Sequence, residues 1–343
     1  MKPLTFDQAY PRERVASTEE HLMDVWRGDM RRVYSCVSTT PDYRRVDDPI
    51  KQAELAAQNL TRGYQLPGFN IPRVTADFGT AIEPAIHSVE EADSFLSLEP
   101  ASTGGARRAH RLYLDVCEKL QTEPYDRLYA TTLSIQSPLN TAALLWDHTS
   151  FASAMDSEPA AVHRFLDRLT DRLIAVIESS IDAAKGKICG APWPYIWLPP
   201  DLGVSITDDY MSLIPAEKYK EFGIPYIERV SRRFGGLFLH CGGAYSHQLP
   251  NLRDSGINLL GLTFSHPYTK LSDIYRVFQD SIVLVPYLAP ASNGQYPNKS
   301  AFLTDLIRSA PPEARLWFIL HPEERDFMMQ MTIIQSHITS HRF

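Results

Sequence analysis

The sequence has no long hydrophobic run. No stretch of it approaches the roughly 20 consecutive apolar residues that span a bilayer, and the N-terminal segment MKPLTFDQAYPRERV lacks the apolar core of a signal peptide. These absences argue against an integral membrane protein and predict that the chain has no membrane partner. The sequons at Asn59 and Asn298 are therefore interpreted as chance matches.

Cysteine is also scarce. The four cysteines, Cys36, Cys117, Cys189 and Cys241, lie far apart in the sequence and form no paired spacing. A chain of 343 residues buries enough apolar surface to fold without disulfides. The sequence thus predicts no disulfide framework, and a cytoplasmic, reducing location is the simplest interpretation.

An excess of positive charge is missing as well. The formal net charge is −7 and no basic stripe is present, which argues against a nucleic acid partner. No Gly-x-Gly-x-x-Gly or P-loop pattern follows an apolar run, which argues against a nucleotide-binding fold. With 44% hydrophobic and 22% charged residues, the composition is that of an ordinary globular protein.

Short apolar, β-branched or aromatic runs recur along the chain, each followed by turn residues and a helical stretch. They predict nine strands, one more than an eight-stranded barrel needs. The predicted strands are Val33–Val37, Arg73–Ala76, Leu128–Ser134, Lys187–Cys189, Gly203–Ile206, Gly236–Leu239, Asn258–Leu262, Ile282–Val285 and Arg315–Leu320. Strand–helix alternation favours a (β/α)8 barrel or an open doubly wound parallel sheet.

Two segments have clear helical periodicity. Glu158–Lys185 places its apolar residues on one face with charges opposite, which predicts a long amphipathic helix. Pro215–Arg233 begins at a proline suited to a first helical turn, and Pro225 inside it predicts a kink or a break. Thr39–Asn70 and Glu99–Ala106 are interpreted as caps and loops.

The pattern predicts one domain over residues 1–343. Residues 1–70 would form an N-terminal cap with a helical extension and the first strand, and residues 71–330 the main barrel. In such barrels the side chains that do chemistry follow the C-terminal ends of strands, where the loops converge. Polar residues at such positions are Asp77, Asp147, His148, Asp208, Asp209, His240, Cys241, His266, Tyr287 and His321.

Among these positions, Asp208 and Asp209 are two adjacent carboxylates that repel each other, so each needs a donor, a cation or a proton. Capping of a helix by one of them is the alternative. Asp77 is interpreted as a general acid or charge partner, with N-capping as its alternative. His240 and Cys241 offer two soft metal donors, but adjacent strand residues point to opposite faces and two ligands do not make a zinc site.

Three segments together resemble the uroporphyrinogen decarboxylase superfamily, which includes cobalamin-linked methyltransferases. These segments are EPAAVHRFLDRLTD, GVSITDDYMSLIPAEKYKEFGIPYIERV and GGLFLHCGGAYSHQLPNL. The similarity extends with the same order and spacing over about 146–266. It implies a (β/α)8 barrel with a deep cleft at the strand C-termini, and either porphyrinogen decarboxylation or methyl transfer.

The two branches of the superfamily imply different sites. In the decarboxylase branch an aspartate after the second strand binds the pyrrole nitrogens, and Asp77 matches it, although the arginine-rich Pro-x-Trp motif is missing. In the methyltransferase branch a His-x-Cys-Gly element and a distant cysteine hold zinc. Here Gly242 stands where the ligating cysteine would fall, and the C-terminal position offers His321. The zinc site is therefore either altered or absent.

The resemblance predicts a methyltransferase that exchanges a methyl group between a corrinoid (methylcobalamin) protein and a small acceptor such as a thiol or tetrahydrofolate. A decarboxylase of a tetrapyrrole or cyclic acid and a non-catalytic tetrapyrrole- or corrinoid-binding barrel are the alternatives. Many barrels of this kind form homodimers, but no helix here identifies an interface. The assigned residues are Asp77, Asp208, Asp209 and His240 as catalytic, Asp147, Trp193, Tyr210, His266, Tyr287 and His321 as substrate-binding, and His240 and Cys241 as metal ligands.

Overall fold

A computed structural model describes residues 19–29, 31–36, 73–76, 79–82, 84–95, 113–115, 117–118, 120–122, 135–186, 188, 196–288, 295–320 and 326–340. Its helices are α1 Glu19–Arg27, α2 Val89–Phe95, α3 Pro138–Leu145, α4 His148–Ser157, α5 Pro159–Ala184, α6 Ala216–Phe222, α7 Ile224–Phe234, α8 Leu249–Arg253, α9 Leu271–Phe278, α10 Lys299–Ser309 and α11 Phe327–Ser340. Its strands are β1 Arg32–Cys36, β2 Arg73–Ala76, β3 Gly79–Ile82, β4 Val204–Thr207, β5 Leu237–His240, β6 Leu259–His266, β7 Val283–Leu288 and β8 Arg315–Leu320.

Six strands form one parallel sheet in the order β1-β8-β7-β6-β5-β4. A parallel bridge between Gln136 and Thr207 continues this sheet beyond β4. The predicted α/β class with a parallel sheet is confirmed. Pairing of the first strand with the last is what a barrel requires, whereas closure of the ring lies beyond the described pairings and stays a prediction.

The sheet has two faces with different neighbours, because successive strand residues point to opposite sides. The outer face packs against the helices in the main core and includes Ile206, Leu239, Leu262 and Leu284. The inner face forms a second core in which Phe238, Val283, Val285 and Trp317 meet Val25, Ile196 and Leu198. The inner face is therefore apolar toward the N-terminal ends of its strands.

Helix α1 closes the inner face at the N-terminal edge of the sheet. The Arg315 guanidinium donates from Nη1 to the backbone carbonyls of Val25 at 3.2 Å and Trp26 at 3.4 Å, in the last turn of α1. A cation suits the negative end of a helix dipole. The Trp26 indole also donates to the Trp197 carbonyl at 3.0 Å. This helix agrees with the predicted N-terminal helical extension.

The strand predicted at Arg73–Ala76 exists, but its predicted place in the barrel is wrong. It pairs antiparallel with β3, with Ala76 opposite Gly79, and forms a separate two-stranded sheet. The local sequence RVTA has strand character without encoding which strand it will pair with. Asp77 falls between these two strands and lies outside the described residues.

The two predicted helices are both present. Helix α5 matches its predicted bounds to within one residue and buries Phe165, Leu169 and Leu173 in the main core, where it packs against neighbouring helices such as α3 and α7. The Pro215 segment is divided into α6 and α7 at Gly223, and Pro225 lies in the first turn of α7, where its missing N–H does no harm. The predicted break is confirmed.

The predicted strands Leu128–Ser134 and Lys187–Cys189, apart from Ile188, lie outside the described residues, as do the predicted loops Thr39–Asn70 and Glu99–Ala106. The domain boundaries stay a prediction. Among the helices that the structure describes, none is both long and apolar enough to cross a membrane.

Candidate active site

A layer of polar side chains crosses the inner face near the C-terminal ends of four neighbouring strand segments. Gln136 pairs in register with Thr207, Thr207 with His240, and His240 with Thr263. Partners in register point to the same face of a parallel sheet. The flanking residues Ile206 and Leu239 belong to the outer core, which places the four polar residues on the inner face. We call Gln136, Thr207, His240 and Thr263 the polar layer.

Strand β6 continues this polar character toward its end. Thr263 and Ser265 alternate with Leu262 and Phe264, which belong to the outer core. Both hydroxyl-bearing residues are 1% exposed, and neither Oγ1 of Thr263 nor Oγ of Ser265 has a hydrogen-bond partner among the described residues. Buried polar groups are nearly always satisfied. Two unpartnered hydroxyls on one face therefore point to a ligand.

The sequence pattern could have revealed both of these residues. The segment LLGLTFSH alternates apolar and polar residues over its second half, but the predicted strand ended at Leu262. Reading the alternation to His266 places Thr263 and Ser265 on one face together. Tyr287 pairs in register with Ser265, so it joins them on the inner face, as its predicted substrate-binding role requires.

His240 lies in the middle of the polar layer and is buried. Its backbone carbonyl accepts a hydrogen bond from the Asp208 amide at 2.8 Å, which fixes the end of β5 against the end of β4. Burial lowers the pKa of His240 to about 3, because the interior disfavours the imidazolium. His240 is therefore neutral near pH 7 and acts as a hydrogen-bonding group rather than as a cationic acid.

Cys241 points away from His240. Its side chain is fully buried in the outer core, close to Tyr219 and Tyr245, and burial raises the pKa of the thiol far above its usual range. Zinc binds thiolate and imidazole together, usually with four ligands. These two side chains face opposite ways, and no cluster of three or more His, Cys, Asp or Glu side chains suited to a metal occurs within the described ranges. The described donors thus do not fit zinc, and His321 lies outside the described ranges.

The two adjacent aspartates have separate environments. Asp208 is completely buried behind the polar layer, and the Tyr219 hydroxyl donates to its Oδ2 at 3.0 Å. Burial raises the pKa of Asp208 to about 7, against the opposing effect of the Ser137 and Tyr219 hydroxyls. Asp208 thus titrates near neutrality.

Asp209 lies on the solvent side of the same turn. Its Oδ1 accepts a hydrogen bond from the Gly242 amide at 2.7 Å, and the residue is exposed. The surrounding loops remove enough water to raise the pKa of Asp209, although the Gly242 bond opposes this shift. Asp209 therefore supplies an accessible carboxylate at the C-terminal edge of the sheet.

Glycine allows the loop after β5 to approach the loop after β4. A Cβ atom at Gly243 would lie 2.6 Å from Cβ of Ser212, which is closer than side chains tolerate. Oγ of Ser212 donates to the Asp209 carbonyl at 2.7 Å, and the Gln248 amide donates to the Met211 carbonyl at 2.9 Å. These contacts fix the turn that presents Asp209.

Tyr210 and Asp147 lie near this turn but serve mainly local structure. The Tyr210 amide donates to Oδ1 of Asn140 at 2.8 Å, and its hydroxyl lies 3.5 Å from Nδ1 of His148. Asp147 is the N-cap of α4 and accepts from the Ser150 amide at 2.9 Å. The substrate-binding role of Asp147 stays a prediction, and Asn140 is a buried polar contributor that the sequence did not single out.

His266 lies away from the polar layer. Its ring packs against Tyr296 and Phe302, with centroids 5.3 and 5.4 Å apart, and its Nε2 lies 2.9 Å from Oε1 of Gln295. Phe302 belongs to the outer core, so His266 faces the helix side of the sheet. Three further predicted site residues, Asp77, Trp193 and His321, lie outside the described residues.

Comparisons with known proteins give similarity at the level of the fold. No protein-family model matches the chain, and no curated protein is significantly similar in sequence. Among solved structures, a methyltransferase from Methanosarcina mazei matches with a TM-score of 0.57 and 12% identity, over 84% of this chain and 85% of that one. This likeness supports the α/β fold, whereas membership of the uroporphyrinogen decarboxylase superfamily stays a prediction.

Proposed function

We propose that this protein is a methyltransferase that moves a methyl group between a corrinoid carrier and a small nucleophilic acceptor. The observation that carries the proposal is the polar layer on the inner face, together with the accessible carboxylate of Asp209, which follows β4 at the C-terminal edge of the same parallel sheet. Catalytic groups of α/β barrels lie at that edge. The structural similarity to a methyltransferase along 84% of the chain supports the same reaction class.

Asp209 would accept the proton that the acceptor loses. A nucleophile X–H that takes a methyl group forms an X–C bond while the cobalt–carbon bond of the carrier breaks and leaves both of its electrons on cobalt. The proton of X–H is released in the same reaction and needs a base. Asp209 has a carboxylate open to solvent, and its raised pKa makes it a better base than an ordinary aspartate. The Gly242 amide holds one carboxylate oxygen and leaves the other for the acceptor.

His240 would orient the acceptor. A neutral imidazole donates from one nitrogen and accepts at the other, so it can hold X–H in a fixed direction without a change of charge. Its burial keeps it neutral over the pH range in which Asp209 works. The corrinoid carrier, as co-substrate, supplies an electrophilic methyl group. Zinc plays no part in this proposal, because the described donors do not fit it.

The test is methyl transfer from methylcobalamin to a thiol. Purified protein is incubated with methylcobalamin and 3-mercapto-1-propanol, and the methyl thioether and the demethylated cobalamin are measured. We expect both products to form together, and Asp209→Asn to lower their rate about 100-fold or more, as loss of a general base does. The matched control is Asp254→Asn, since Asp254 is exposed beyond α8 and forms an ion pair with Arg253.

Three outcomes decide between the proposal and its alternatives. Product formation that depends on Asp209 but not on Asp254 supports the proposal. Equal rates for wild type and Asp209→Asn would remove Asp209 from the reaction. No transfer to thiols, alcohols or tetrahydrofolate from any methylcorrinoid would reject the methyltransferase assignment. The decarboxylase alternative depends on Asp77, which lies outside the described residues.

A further inference from the structure

We infer that the inner face binds an uncharged acceptor, with its polar edge on the polar layer and Ser265 and its apolar side toward Val285. The inference rests on the proposed function only in calling the ligand an acceptor. Binding itself is argued from the buried side chains. It concerns the chemical class of the ligand, because the side chains that would contact it are hydroxyls, an amide and a buried imidazole.

The hydroxyls of Thr263 and Ser265 on strand β6 are the first feature that indicates a ligand. Thr263 and Ser265 lie two residues apart on one face of β6, both are 1% exposed, and their side-chain oxygens have no hydrogen-bond partner in the part of the chain that the structure describes. A buried hydroxyl without a partner destabilises a fold, because it has lost its water without gaining another hydrogen bond. Two of them in adjacent positions of the same face are explained by a ligand that supplies the missing donors or acceptors.

The described strands place no fixed positive charge beside the polar layer. Within the described strands β4 to β8, the only lysine or arginine is Arg315, the first residue of β8, and it is used at the opposite edge to hold α1. A carboxylate or phosphate moved onto the polar layer would lose its hydration without gaining a counter-ion. Such a transfer costs several kcal/mol. The inner face therefore selects against anions.

The inner face of the sheet has a polar part and an apolar part side by side. The polar layer ends at β7, where the residue paired in register with Thr263 is the apolar Val285. Two residues further along the same two strands, Ser265 pairs with Tyr287 on the same face. A ligand on this face thus meets hydroxyl, amide and imidazole groups on one side and an aliphatic side chain on the other. Small alcohols and thiols with a short hydrocarbon part have this character.

The negative groups nearby agree with the same conclusion. Asp208 is buried behind the layer with its carboxyl held by Tyr219, and Asp209 stands at the edge. An anionic acceptor would approach Asp209 against electrostatic repulsion. A neutral thiol or alcohol approaches without that cost and offers the proton that Asp209 would accept.

The experiment compares two ligands of the same length that differ in charge. 3-Mercapto-1-propanol and 3-mercaptopropionate are titrated separately into the full-length protein at pH 7.5, and dissociation constants are measured by saturation-transfer NMR and calorimetry. We expect the neutral ligand to bind at least about 10-fold more tightly, a ratio that corresponds to about 1.4 kcal/mol.

Two variants test the contact residues. Thr263→Val and Ser265→Ala should each weaken binding of 3-mercapto-1-propanol about 2- to 12-fold, the range for one lost hydrogen bond. The ligand-free Thr263→Val protein should unfold at the same temperature as wild type or above it, because an unpartnered polar group has been removed. A purely structural threonine would not combine weaker binding with unchanged stability.

The control variant is Thr170→Val. Thr170 is also fully buried, but its hydroxyl donates to the Leu166 carbonyl within α5, away from the inner face. It should lose stability and keep its affinity for the ligand.

Equal or tighter binding of 3-mercaptopropionate overturns the inference. So does the absence of binding by 3-mercapto-1-propanol, or binding that both inner-face variants leave unchanged. Selective binding without methyl transfer would reject the proposed reaction alone, whereas methyl transfer to anionic thiols with no preference for neutral ones would reject this inference alone.

Discussion

The backbone amide of Asp208 donates to the backbone carbonyl of His240 at 2.8 Å. This one bond joins the ends of β4 and β5, the two strands that carry the residues most prominent in the sequence. It holds the main chain while the side chains separate: Asp208 lies behind the sheet end with Tyr219, and His240 lies on the inner face. The residues joined by this backbone hydrogen bond thus direct their side chains to different places, Asp208 to the buried contact with Tyr219 and His240 to the inner face.

The first prediction concerns the pH dependence that Asp208 imposes on stability. Its pKa is raised from 3.8 to about 7 in the folded protein, so the folded state binds more protons than the unfolded state between these values. Stability from this group is therefore present at low pH and falls as the pH rises from about 4 to 7. Asp208→Asn should remove that part of the slope, because the amide imitates the protonated acid.

The size of the effect follows from the shift. Each pKa unit corresponds to about 1.4 kcal/mol, so Asp208→Asn should be more stable than wild type by a few kcal/mol at pH 8 and about equal to it near pH 4. Urea unfolding from pH 4 to 8 measures this difference. If the free energies of unfolding of the two proteins differed by the same amount at every pH, Asp208 would not be a buried group that binds a proton on folding.

The second prediction concerns Tyr219. Its hydroxyl donates to Oδ2 of Asp208 at 3.0 Å, and both groups are fully buried. Tyr219→Phe would remove one of the donors to the Asp208 carboxyl and should destabilise the fold by about 1–3 kcal/mol at pH 7. In the Asp208→Asn background the cost should be smaller, because the acceptor is no longer charged. A double-mutant cycle measures the coupling, and additive free energies would argue against this contact.

The third prediction concerns Cys241. Burial keeps its thiol protonated and out of contact with solvent. It should react with a thiol reagent only at the rate at which the protein unfolds, and Cys241→Ala should lower stability by about 1 kcal/mol without lowering the turnover. Loss of turnover together with loss of bound zinc would instead show that Cys241 is a metal ligand.

The fourth prediction concerns the contact between two loops at Gly243. Gly243→Ala would bring a Cβ atom 2.6 Å from Cβ of Ser212 and should cost about 1–3 kcal/mol of stability, as overpacking does. It should also lower methyl transfer, because Ser212 supports the turn that presents Asp209. Adding Ser212→Gly should restore much of the stability. If Gly243→Ala behaves like wild type, the close approach of the loops is not required.

The fifth prediction concerns the attachment of α1. Arg315→Met removes the donors to the carbonyls of Val25 and Trp26 but retains an apolar side chain of similar length. Loss of hydrogen bonds from a charged group should cost about 1.5–3 kcal/mol. Hydrogen exchange should become faster in Glu19–Arg27, whereas protection in β5 and β6 should remain. Uniform loss of protection would show that this helix is part of the central folding unit.

The sequence predicted much of the sheet, because apolar runs in buried parallel strands are conspicuous. Strands β4, β5, β7 and β8 lie within a few residues of their predicted bounds. The sequence could not place Arg73–Ala76, since four residues of strand character do not determine a pairing partner. The direction of His266 was missed for a related reason: a one-residue change along β6 exchanges the inner face for the outer one.

The candidate site shows the same division. Residues directly after strands, such as Asp209 and His240, stand out in the sequence because apolar runs give no reason for a polar group there. Thr263 and Ser265 lie within the strand, where threonine and serine are unremarkable, and only their shared face and missing partners make them notable. Which of two adjacent aspartates faces solvent depends on Tyr219 and Gly242, which come from other segments.

Helix α1, anchored through Arg315, blocks one end of the inner face. The opposite end of this face, at the C-terminal edge of the described strands, carries the exposed Asp209 and is where we expect ligands to enter. A small acceptor and a bulky methyl carrier would therefore use the same entrance, and the carrier would block it once bound. Steady-state kinetics should accordingly be sequential and ordered, with the acceptor entering first and the methylated product departing last.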